Sequence, residues 1–141
     1  MPRLSVTQTF QTVTPQEFAE FIEYLRNKDH RYRTNLSQLQ YADYACYLSL
    51  SRAAGYALSK ERNGLGEYKL ANVFSTVTGT GAYAVNDAIS RREKLWLSCF
   101  ENLESFYSRF GFVVTAKEKN WTQGGPDVLF MSTNTRKASL K

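Results

Sequence analysis

Histidine is nearly absent from this chain: His30 is the only one among 141 residues. A lone imidazole excludes His-rich metal clusters and disfavours a Ser/His/Asp triad. Cysteine is almost as scarce. Cys46 and Cys99 form no Cys-x-x-Cys pair, so no structural zinc is expected. Both lie in apolar stretches, CYLSL and WLSCF, where an inert buried thiol is the expectation. No apolar run approaches the ~20 residues of a membrane span, and the opening MPRLSVTQTF lacks the apolar segment of a secretory signal. The expectation is a cytoplasmic chain with reduced thiols and no metal. With 3 Pro, 8 Gly and 43% hydrophobic residues, the chain is neither disordered nor collagen-like.

What the chain does have is positive charge. Eighteen Lys and Arg against 13 Asp and Glu give +5, which favours an anionic partner without naming one. Much of it sits in Arg26, Lys28, Arg31 and Arg33 around His30, and in the closing TNTRKASLK. Tyr32, Tyr41, Tyr44 and Tyr47 near the first group would suit base stacking. No RRM, OB or helix-turn-helix signature accompanies them, so nucleic acid is disfavoured.

Residues 4–10 alternate and predict a first strand. Thr14, Pro15 and Glu17 are placed as an N-cap, a first helical residue and the third residue of a capping box. Phe18, Phe21, Ile22 and Leu25 then form one apolar stripe, predicting a helix to about Lys28. The basic segment 26–35 breaks that pattern, and a shorter helix is expected over Leu36 to Tyr44. CYLSLSR, AAGYALSK and GEYKLANVFSTV predict three strands of an antiparallel meander, with ERNGLG as a turn. The third strand leads into Thr78-Gly79-Thr80-Gly81, after which Ala82, Val85, Ala88 and Ile89 recur at helical spacing. KLWLSCF reads as a buried strand. Leu103, Phe106, Tyr107 and Phe110 mark a helix that Gly111 would end in a left-handed conformation. FVVTAKEK and DVLFMS close the chain as strands. The order β-α-α-β-β-β-α-β-α-β-β predicts one mixed α+β domain over 1–132, with 133–141 as a basic tail.

The strand–loop–helix unit is where chemistry is expected. A helix N-terminus offers unpaired N–H groups and a partial positive charge, which suit phosphate oxygens. Gly79 and Gly81 would let a pyrophosphate approach, and the Thr78 and Thr80 hydroxyls would add donors. GxG before a helix is also commonly just a tight turn. No Lys-Ser/Thr follows, so the loop is not a Walker A motif, and Asn86 occupies the place of the third Rossmann glycine.

AGYALS, KLANVFS, TVTGTGAYAVNDAI and CFENLESFYSRFGF, in that order, resemble the GCN5-related N-acetyltransferase (GNAT) family. The likeness covers about residues 46–132 and is greatest to small acetyltransferase-like proteins often found in phage genomes. It implies an acyl-CoA N-acyltransferase-like fold: a mixed, mostly antiparallel central sheet, flanked by helices and splayed around a V-shaped opening that takes acetyl-CoA. The pantetheine arm would lie along Val73, Phe74 and Ser75, with the pyrophosphate on the amides of Thr78, Gly79, Thr80, Gly81, Ala82 and Tyr83. Tyr107 matches the tyrosine that protonates the leaving thiolate, and Asn102 lies near the position of a cofactor-contacting Asn. Arg31 and Arg33 fall where the family builds its acceptor pocket, which suits an acidic acceptor. Thr76 stands where the family has Gln or Arg, and the loop is about two residues shorter. No general base is marked, although Glu67 and Tyr68 lie on the relevant strand.

The implied activity is acetyl transfer to an unidentified amine by direct attack, without an acyl-enzyme. The alternative is an acetyltransferase-shaped protein without turnover that docks on a host protein. A dimer is left open.

Overall fold

The computed structural model describes residues 9–120 and 124–133, without the side chains of 33–35. Seven strands form one sheet in the order β1-β2-β3-β4-β5-β7-β6. They are β1 (Phe10–Val13), β2 (Tyr44–Ser49), β3 (Ala54–Ser59), β4 (Tyr68–Ser75), β5 (Leu95–Phe100), β6 (Val113–Glu118) and β7 (Val128–Ser132). The helices are α1 (Pro15–Lys28), α2 (His30–Asn35), α3 (Gly81–Arg91) and α4 (Glu104–Ser108). Every neighbouring pair is antiparallel except β4 with β5. This is the predicted element order and the predicted mixed, mostly antiparallel sheet. None of the described helices is long and apolar enough to cross a membrane.

α1 starts as its sequence dictates. The Thr14 hydroxyl accepts the Glu17 N–H at 3.0 Å, with Pro15 in the first turn. Only half of the capping box forms, because the Glu17 carboxylate pairs with Arg52 at 2.9 Å instead of turning back. Phe18, Ile22 and Leu25 bury one face of α1 against Cys46, Leu48, Ala57 and Phe74. Each such side chain contributes about 1.5–3 kcal/mol. The opposite sheet face buries Tyr56, Leu58, Leu95 and Leu97 under Ala84, Val85 and Ala88 of α3, and continues through Phe112, Leu129 and Met131. β3 is therefore covered on both faces, and Gly55 is where its packing is tightest. A Cβ there would come within 2.5 Å of the Phe74 ring and 2.8 Å of Leu48.

Three expectations need correction. The first described strand is β1 at Phe10–Val13, which runs past the expected end at residue 10, and residues 4–8 lie outside the described ones. The second helix occupies 30–35, inside the basic segment, and only a 3-10 turn at Tyr41–Asp43 falls within 36–44. Its cause is local: the Asp29 carboxylate accepts the Arg31 N–H at 2.8 Å and starts a new helix, and Leu36 is extended. The fourth helix is shorter than expected, with a 3-10 turn over Glu101–Leu103 before it. Gly111 does follow it at φ 94°, the left-handed value expected. The tail 134–141 lies outside the described residues.

Candidate active-site cleft

β4 and β5 pair only through Tyr68 with Leu95 and Lys69 with Trp96. Beyond that point they separate, and the β5-facing edge of β4 has no strand partner among the described residues. The gap opens into a cleft of about 820 Å³ lined by β4, β5, the start of α3, α4 and the start of α2. A bulge in β4 shapes this edge. Gly55 and Ala57 of β3 oppose Phe74 and Ala71, so β4 carries one extra residue there. Asn72 takes it up at φ 49°, a conformation that Asn tolerates better than most residues. Its amide donates to the Ser37 carbonyl at 2.7 Å and to the Tyr41 hydroxyl at 3.0 Å, and accepts the Ser37 N–H at 2.9 Å. Asn72 thus ties the α2–β2 connection to the bulge. Sequence reasoning missed it, although an Asn inside an otherwise regular strand was the available signal.

The loop after β4 is built around Gly79 and Thr80. Gly79 has φ 91°, which only glycine adopts without strain. Gly81 has an ordinary φ, and a Cβ there would meet the Phe106 ring at an unstrained 3.6 Å. Thr80 is buried, its hydroxyl 2.7 Å from the Val77 carbonyl and 3.2 Å from the Ala53 carbonyl. That hydroxyl braces the loop. The Tyr83 and Ala84 N–H groups bond back to the Thr80 carbonyl, while among the described residues no acceptor is bonded to those of Gly81 and Ala82.

Of the expected cofactor residues, Val73, Phe74, Ser75, Thr78, Gly79, Gly81 and Ala82 line the cleft, as does Tyr107. Thr80, Tyr83 and Asn102 do not, and Asn102 is exposed in the turn before α4. Arg31 lines the cleft and pairs with Asp29 at 3.0 Å. The side chain of Arg33 is not among those described. Two cationic lining residues escaped the sequence reading: Lys69, over the Trp96 ring at 5.3 Å, and Arg109, over the Phe106 ring at 5.3 Å.

Two members of the basic and aromatic cluster are tied to backbone carbonyls. The Arg26 guanidinium donates to the Leu36 carbonyl, and the Tyr32 hydroxyl donates to the Ser75 carbonyl at 3.0 Å. His30 is exposed and does not line the cleft. Glu67 is fully buried, accepting from Ser132 at 2.5 Å and Asn63 at 2.9 Å, away from the cleft.

Tyr107 is 8% exposed, held edge-on between the Phe106 and Phe112 rings at 5.0 and 5.7 Å. No described residue hydrogen-bonds its hydroxyl. Burial pushes its pKa well above the usual phenol value, and Cys99 nearby adds to the rise. The phenol is a firmly protonated donor at neutral pH. Cys99 also lines the cleft, but burial raises its thiol to about 11. It is a neutral thiol there and not a nucleophile.

No family model matches the sequence, and no curated protein matches it. Solved structures do match. A probable acetyltransferase of the GNAT family from Chromobacterium violaceum is 10% identical, with a TM-score of 0.67 over 92% of this chain and 88% of that one. An acyl-CoA N-acyltransferase from Pseudomonas aeruginosa is 14% identical, at 0.65 over 92% and 100%. The chain has the acyl-CoA N-acyltransferase fold. Escherichia coli ElaA shares it at 16% identity and a TM-score of 0.66, over 91% of this chain and 100% of that one. The resemblance seen in residues 46–132 extends, as fold, to the N-terminal strand and helices. The splay of β4 from β5 corresponds to the V-shaped opening that the family resemblance implies.

Proposed function

We propose that this protein is an acetyl-CoA-dependent N-acetyltransferase acting by direct attack of an amine on the thioester. The observation that carries this reading is Tyr107. It is a buried, protonated phenol whose hydroxyl has no partner among the described residues and which lines the cleft between β4 and β5. The cleft suits the substrate. The open edge of β4 around Val73 offers main-chain groups to an extended pantetheine arm and to the thioester carbonyl. The Gly81 and Ala82 amides, at the start of α3, suit phosphate oxygens.

In the step itself, the amine nitrogen bonds to the carbonyl carbon, and the C–S bond breaks with its electron pair on sulfur. Tyr107 donates a hydrogen bond to that sulfur as charge develops. Its raised pKa makes full proton transfer from the phenol to sulfur unfavourable, since a thiol near ~8.5 is the stronger acid. Tyr107 therefore stabilises the developing thiolate as a hydrogen-bond donor, and the proton that ends on sulfur is the one the amine nitrogen gives up.

The second reading is an acyltransferase-shaped protein that binds a protein partner without turnover. The loop from Thr76 to Thr80 carries no cationic side chain, which supports it. A thermal melt with acetyl-CoA, followed by thiol release with a panel of amines, separates the two. Stabilisation with release supports the enzyme. No stabilisation at millimolar acetyl-CoA refutes it.

A further inference from the structure

The cleft's ionisable lining is lopsided. Arg31 and Tyr32 from α2, Lys69 from β4, Cys99 from β5, Tyr107 from α4 and Arg109 just after it reach it, and no Asp, Glu or His does among the described residues. Two of the cations stand by the glycine loop. Arg31 adjoins Tyr32, whose hydroxyl holds the Ser75 carbonyl. Arg109 stacks on Phe106, the ring nearest Gly81. Both are near the place proposed for the cofactor's phosphates. Lys69 is not. It lies six residues before Ser75 on β4, about 20 Å away at ~3.3 Å per strand residue. Its charge, at the closed end of the cleft, answers to some other anion.

We propose that the acceptor is the free α-amino group of an acidic peptide, with Lys69 binding one of its carboxylates. This rests on the acetyltransferase reading. That no described lining residue is a carboxylate or imidazole base sets the amine. A neutral amine balances the reaction unaided: one N–H proton ends on sulfur, giving amide and thiol. An ammonium brings one proton more, and no carboxylate or imidazole among the described lining residues accepts it. At pH 7 an α-amino group with pKa ~7.8 is neutral in about one molecule in seven, but a lysine amine near ~10.4 in about one in 2,500, a gap of about 300-fold. The charges set the rest of the acceptor. Three cations and no described lining carboxylate repel a polyamine; of the nearby carboxylates outside the lining, Asp29 is paired with Arg31 and Glu104 acts on Cys99.

The test compares thiol release at pH 7 from acetyl-CoA with four acceptors. These are a six-residue acidic peptide with a free N-terminus and no lysine, the same peptide amino-blocked with one lysine, spermidine, and 4-aminobenzoate. The free-terminus peptide is expected to give the highest kcat/KM, about 100-fold or more above the lysine peptide, from the difference in neutral fraction. Mass spectrometry should place the acetyl group on the N-terminus. Lys69→Gln is expected to raise KM for that peptide several-fold with KM for acetyl-CoA unchanged, and Lys69→Arg to restore it. Preference for any other acceptor, no transfer to the free terminus, or an unchanged KM in Lys69→Gln overturns the inference while acetyl-CoA binding stands. No melting shift with acetyl-CoA overturns both it and the acetyltransferase reading.

Discussion

Replacing Tyr107 by Phe removes one oxygen from a ring that is otherwise retained. The ring is 8% exposed and packs edge-on against Phe106 and Phe112, contacts a phenylalanine makes equally well. The hydroxyl has no hydrogen-bond partner among the described residues, so its removal leaves no orphaned group behind. The expected stability change is therefore within about ±0.5 kcal/mol, or about 2 °C or less in Tm for a chain of this size. Catalysis is another matter. A positioned proton donor contributes about 10²–10⁴-fold, so kcat should fall by at least about 100-fold, equivalent to about 2.7 kcal/mol of transition-state stabilisation. KM for acetyl-CoA should hold, because the hydroxyl acts on sulfur only as charge develops there. The assay is thiol release under saturating acetyl-CoA, with a thermal melt on the same sample. A rate within threefold of the parent refutes the role of Tyr107. A Tm drop of 5 °C or more refutes the claim that the hydroxyl is unpartnered. Tyr107→Ala is the contrast, since emptying the ring's site should cost about 3–5 kcal/mol.

Other outcomes follow from the same geometry. Gly55→Ala drives a Cβ to 2.5 Å from the Phe74 ring, and should destabilise by about 1–3 kcal/mol in chemical denaturation; an unchanged midpoint would show that Phe74 yields freely. At Asn72, φ 49° reverses the usual ranking, so Asn72→Gly should be more stable than Asn72→Ala by about 1 kcal/mol; equal stabilities would contradict the left-handed bulge. Thr14→Ala removes the cap on Glu17 and should cost about 1 kcal/mol in the same measurement. Burial raises Cys99 from the usual 9.0 to about 11, so its alkylation by iodoacetamide should be slow at pH 7 and climb towards pH 11. The unfolded chain loses that proton first, so the thiol's contribution to stability is present below pH 9 and declines between about 9 and 11. Rapid labelling of the folded protein at pH 7 would contradict the burial.

Local chemistry was legible in the residues themselves. The Thr14 cap, the stripe through Phe18, Ile22 and Leu25, and the left-handed Gly111 each depend on neighbours within one or two turns of chain. So do the order of elements and the loop that opens α3. The sequence also misled where two local signals competed. The basic residues at 26–35 read as a break, yet the Asp29 carboxylate capped a helix among them.

Tertiary structure alone decided what the cleft is. That β4 parts from β5 after Lys69, and that β7 inserts between β5 and β6, depend on pairings between distant segments. Alternation of residue type shows which face of a strand is buried, but not which strand lies beside it. The bulge at Asn72 owes its place to Ser37 and Tyr41, more than thirty residues away in sequence. The charge was countable from composition, but its division was not. Folding gave Arg26 to the Leu36 carbonyl and paired Arg31 with Asp29, and brought Lys69 and Arg109 to a cleft that no described carboxylate lines. A net charge is a sum over residues, whereas a field inside a cleft depends on which of them the chain brings to its walls.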